Sequence, residues 1–76
     1  MLIIRKEKGA TGLTFIRKED NTRLITVKDW DLDDVTTKKL ITYPSFIGFI
    51  ERRALKSRSP FQERCEPMLR DFLAGA

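Results

Sequence analysis

The groups with the clearest chemical use in this chain are cations. Arg52, Arg53, Lys56 and Arg58 crowd into one short stretch, and Lys38 and Lys39 precede them. On a helical wheel Arg52 and Lys56 stand one turn apart, Arg53 flanks them, and Phe49 sits close to the same side. Guanidinium and ammonium groups beside an aromatic ring suit phosphate contact and base stacking. These six cations are therefore the expected nucleic-acid-binding residues, with DNA as the first expectation and RNA as the second. Two consecutive helices joined by Thr42-Tyr43-Pro44-Ser45, the second one basic, also fit a helix-turn-helix reader.

The net charge of +4 hides a block pattern. Residues 1–28 carry +4, residues 29–37 carry −4, residues 38–58 carry +5 and residues 59–76 carry −1. Two basic blocks thus flank an acidic hinge, and single-sign fields of this kind concentrate a partner of opposite charge. In the first block Arg5, Lys6, Lys8, Arg17, Lys18, Arg23 and Lys28 would give a basic sheet surface able to lie against a phosphate backbone, or would guard strand edges against pairing.

A second kind of chemistry is protein recognition. Trp30 lies between Asp29 and Asp31, with Asp33 and Asp34 close behind, and a tryptophan so placed can anchor a basic partner or plug the space between sheet and helices. Ile16 falls on a sheet face that is only half polar, and Phe49 on the second helix. Trp30, Ile16 and Phe49 are accordingly the expected protein-contact residues in the alternative reading. That reading is a small inhibitor or assembly adaptor, of the sort carried by phages and mobile elements, bound to a protein partner or to a second copy.

Catalysis is not expected. The chain has no histidine, the usual base near neutral pH and the commonest metal ligand, and Cys65 is its only cysteine. Asp29, Asp31, Asp33 and Asp34 lack the glycine and distal glutamate of a calcium loop. No glycine-rich phosphate loop is present, since neither Gly9 nor Gly12 is followed by the required lysine or third glycine. No cofactor, metal or small-molecule substrate is therefore expected. Cys65, at helical spacing from Phe61, Met68 and Leu69, reads as a buried small hydrophobe.

The elements that must position these groups follow from periodicity. Leu2 to Lys8 and Leu13 to Lys18 are β-rich runs around Gly9-Ala10-Thr11-Gly12, and Arg23 to Lys28 follows the turn signal Glu19-Asp20-Asn21-Thr22. Leu13, Phe15, Ile25 and Val27 share one face of this meander. Acids from Asp29 onward favour a helix over about Leu32 to Thr42, ended by Pro44. Ser45 would cap a helix from Phe46 to about Ser57, whose stripe is Phe46, Ile47, Ile50 and Ala54. Ser59-Pro60-Phe61-Gln62 is a capping-box pattern that predicts a third helix, kinked or restarted at Pro67, with Gly75 as its stop.

The expected fold is therefore α+β, an N-terminal three-stranded antiparallel β-meander followed by two or three short α-helices packed on one sheet face. Its 76 residues allow one small domain, with 1–28 as meander and 29–76 as helical half. The apolar run after Met1 is too short for a signal peptide and no stretch is long enough to cross a bilayer, so a cytoplasmic location without a membrane partner is expected.

Overall fold

A computed structural model describes residues 1–6, 11–56 and 61–75. The order is β1 (Leu2–Lys6), β2 (Leu13–Arg17), β3 (Thr22–Lys28), α1 (Asp34–Leu40), α2 (Pro44–Lys56), β4 (Phe61–Arg64) and α3 (Cys65–Leu73). The strands form one sheet in the order β1-β2-β3-β4. β1, β2 and β3 are an antiparallel meander as the alternation predicts, whereas β4 pairs with β3 in parallel. The sheet is thus four-stranded and mixed, not three-stranded and antiparallel. The chain between β3 and β4 makes the crossover that a parallel neighbour requires, and α1 and α2 are that crossover.

The added strand corrects the reading of the third helix. The proposed cap residues Ser59 and Pro60 lie outside the described residues, as do Lys8, Gly9 and Arg58. Phe61-Gln62-Glu63-Arg64 has one apolar residue and no alternation, and pairing along Ile25↔Phe61 to Lys28↔Arg64 supplies its backbone with partners that no local pattern reveals. The helix then starts at Cys65, with Arg64 as its N-cap residue. Pro67 therefore falls in the first turn, where its missing N–H is no loss, and has no kink to make.

The β2–β3 turn uses Asn21 at φ 58, a conformation asparagine tolerates, and the backbone N–H of Thr22 donates to Asp20 Oδ1 at 3.1 Å. The pairing is Phe15↔Ile25 and then Ile16↔Arg23, so Leu24 is an extra residue in β3. This bulge turns Leu24 to the core side, where it is buried beside Ile25.

The core lies on the face of Leu2, Ile4, Phe15, Ile25 and Val27, covered by Phe46, Phe49 and Ile50 of α2 and by Cys65 and Met68 of α3. Edge-to-face aromatic pairs run through it, with Phe15 against Trp30 at 5.4 Å and against Phe46 at 5.7 Å, and Phe46 against Phe72 at 5.1 Å. α2 begins at Pro44 itself, the favoured N1 place for proline, two residues earlier than the serine cap predicts. Among the described residues no helix is long and apolar enough to cross a membrane.

Two glycines make opposite demands on the packing. A Cβ on Gly12 would stand 2.9 Å from the Val27 carbonyl oxygen, a backbone atom that cannot step aside. One on Gly48 would meet only the end of the Arg52 side chain, at 3.2 Å. Gly12→Ala is expected to cost about 1–3 kcal/mol through overpacking. Gly48→Ala, inside a helix, should instead stabilise by up to about 1 kcal/mol. Urea midpoints that fell together for both variants would contradict this packing.

Candidate nucleic-acid interface

The helical cations separate into free and engaged groups. Arg52 and Lys56 of α2 and Lys38 and Lys39 in the last turn of α1 are exposed, and among the described residues none of the four enters an ion pair. α2 turns Phe46, Phe49 and Ile50 inward, so Arg52 and Lys56 stand on its outer side. The Arg52 guanidinium lies back over Gly48, which has no side chain to displace it. Arg58 lies outside the described residues.

Arg53 is different. Its Nε donates to Glu63 Oε2 at 2.7 Å, and its Nη2 donates to both Glu63 Oε1 and Asp71 Oδ2, the latter at 2.9 Å. The same guanidinium sits 5.2 Å from the centroid of the Phe49 ring. The Glu63 carboxylate, then that of Asp71, outweigh burial and raise an already high basicity, so Arg53 is held charged. This removes Arg53 from the set of cations free to meet an external phosphate, for the plain reason that two of the chain's own carboxylates neutralise it. Sequence reasoning missed the pairing because Glu63 was expected on a helix and not on β4, whose core-side register aims it at α2.

The expected protein-contact residues are all withdrawn from the surface to some degree. Phe49 is 4% exposed and Ile16 is 2% exposed, so neither presents a side chain to a partner. Phe49 therefore packs inward and lends no ring for base stacking. Trp30 is half-buried against Phe15, and its indole N–H donates to Thr37 Oγ1 at 2.7 Å. This is the plug between sheet and α1. Its outer edge, with Ile4, Leu13, Leu32 and the Lys6–Asp34 pair, lines an open recess of about 270 Å³.

The four acids of the hinge are spread among separate tasks. Asp33 caps α1 by accepting from the Thr36 N–H at 2.8 Å, and that bond holds its carboxyl below the usual range. Asp34 pairs with Lys6 at 3.4 Å, Asp29 pairs with Arg64 at 3.7 Å, and Asp31 accepts from the Cys65 thiol at 3.4 Å. Among the described residues no cluster of three or more His, Cys, Asp or Glu side chains could hold a metal ion. Burial, with the Asp31 contact beside it, pushes the Cys65 thiol up to about 11.

No known protein family, curated protein or solved structure matches the chain.

Two outcomes follow from these contacts. Glu63→Ala strips a partly buried guanidinium of its main partner and should lower stability by about 1–3 kcal/mol. Asp71→Ala, at the more exposed end of the network, should cost less than about 1 kcal/mol. The reverse order in denaturant midpoints would contradict the geometry. Alkylation of Cys65 at pH 8 should run about a hundredfold slower in the native chain than in the unfolded one, because the raised pKa leaves so little thiolate. Equal rates would place the thiol at the surface.

Proposed function

We propose that this chain is a small non-enzymatic nucleic-acid-binding module, with DNA as its partner, that holds the phosphate backbone and does not read bases. The observation that carries this reading is the set Arg52, Lys56, Lys38 and Lys39, exposed and without an ion pair among the described residues. Cations that have no internal carboxylate to satisfy are the ones that can displace condensed counterions from a polyanion.

Backbone contact is preferred to sequence reading for a local reason. A recognition helix reads base edges with side chains of its first turns. The first turn of α2 is Pro44-Ser45-Phe46-Ile47, in which Phe46 is buried and Ile47 is partly buried in the core. Its cations lie in the C-terminal half. That distribution favours electrostatic affinity, which is indifferent to sequence.

For duplex DNA of arbitrary sequence, log affinity should fall linearly with log salt. Replacing Arg52 and Lys56 together by alanine should flatten that slope by roughly two. Arg53→Ala should lower stability and leave the slope where it was, since its charge is already spent. A slope near zero, or a slope untouched by the Arg52 and Lys56 changes, would sink the proposal. Retention of a protein partner in high salt, lost on Trp30→Ala, would replace it with the adaptor reading.

A further inference from the structure

We infer that the sheet carries a second DNA-binding surface on the side facing away from α2, so that one molecule holds two duplex segments at once. The inference rests on the nucleic-acid reading above and adds a valence to it.

Strand parity places the second surface. Ile4, Phe15, Ile25 and Val27 belong to the core side. Successive strand residues point to opposite faces, so their neighbours Arg5, Thr14, Thr26 and Lys28 belong to the other side. The register joins that side into rungs, with Ile3↔Ile16↔Arg23, Arg5↔Thr14↔Thr26↔Gln62 and Lys28↔Arg64. The bulge at Leu24 is what keeps Arg23 on this face, because without the extra residue Arg23 would share the parity of Ile25. Three strands, β1, β3 and β4, thus bring Arg5, Arg23, Lys28 and Arg64 to one surface from distant parts of the sequence.

These groups are available. All four are exposed, and among the described residues Arg5, Arg23 and Lys28 enter no ion pair. Arg64 is 3.7 Å from Asp29 Oδ2, an exposed contact of little strength. The acids of the adjoining turn are occupied, Glu19 by the Met1 amino group and Asp20 by Arg17. Charge complementarity therefore points to a polyanion. No aromatic residue stands among the described members of this face, so it offers no platform on which unpaired bases could stack, and a duplex backbone is the occupant it suits.

The two surfaces cannot serve a single straight duplex. α2 lies against the opposite face of the sheet and directs Arg52 and Lys56 away from it. Cations point outward from both sides of a molecule whose least extent is 20 Å. The consequence is a bridge.

The test is capture of a second, labelled duplex by protein already bound to an immobilised one. The unaltered chain should capture it. Replacing Arg5, Arg23 and Lys28 together by serine should leave binding to the first duplex in place through α2 and reduce capture of the second by about tenfold or more. Lys28→Glu alone, at an exposed strand end, should reduce capture in the same direction and guards against a triple variant that fails to fold. First-duplex binding without second-duplex capture by the unaltered chain overturns the inference and leaves the nucleic-acid reading standing. Capture that survives both sets of changes overturns it as well, since two copies joined through one surface each would then explain the bridge. Failure of the unaltered chain to bind even the first duplex overturns the underlying reading and the inference with it.

Discussion

One guanidinium ties the C-terminal half of this protein together. Arg53 projects from α2, takes both oxygens of Glu63 on β4, reaches Asp71 on α3 and lies over the ring of Phe49. β4 has only four residues and stands at the edge of the sheet, so its pairing with β3 has little length over which to accumulate strength. The ion pair, formed at a partly buried site, adds a directional contact that a short ladder lacks. Planarity matters here, because the five donors of arginine form a fixed fork and the single ammonium of lysine could not meet two carboxylates in the same way.

The division of charge follows from that constraint. Once Arg53 is spent internally, the basic stretch of α2 is narrower than its composition implies, and the hinge acids are distributed singly to Arg64, Cys65, the start of α1 and Lys6. Among the described residues, cations without an ion pair stand outward on α2, at the end of α1, at the β2–β3 turn and on the far side of the sheet. A count of residues within a window cannot separate the two classes. Only partners brought in from other elements can.

Much of the architecture was legible from periodicity alone. The three antiparallel strands, the face shared by Leu13, Phe15, Ile25 and Val27, the stripe of Phe46, Ile47, Ile50 and Ala54 on α2, and the acid-led start of α1 all rest on local spacing, and local spacing is what a sequence displays. β4 was not legible. Ser-Pro-Phe-Gln is a helix-start pattern, and a four-residue strand has too few alternations to compete with it until β3 offers an open edge. The helix that does form starts later, with Pro67 safely in its first turn. In the candidate site, the exposure of Arg52, Lys56, Lys38 and Lys39 agreed with their helical placement, whereas the capture of Arg53 by Glu63 and the burial of Phe49 depended on the missing strand and on tertiary packing.

The parallel pairing also sets an order of events. β1 to β3 can associate through near neighbours, but the outer edge of β3 finds its mate only after the intervening chain, with α1 and α2 in it, has been made. During synthesis, or in any fragment cut ahead of Phe61, the Thr22–Lys28 segment would present a bare row of amides and carbonyls next to Ile25 and Val27, which in the finished molecule are wholly buried. The segment from Phe61 onward thus acts as a closing seam, and a form of this protein shortened ahead of it would be prone to stick to copies of itself.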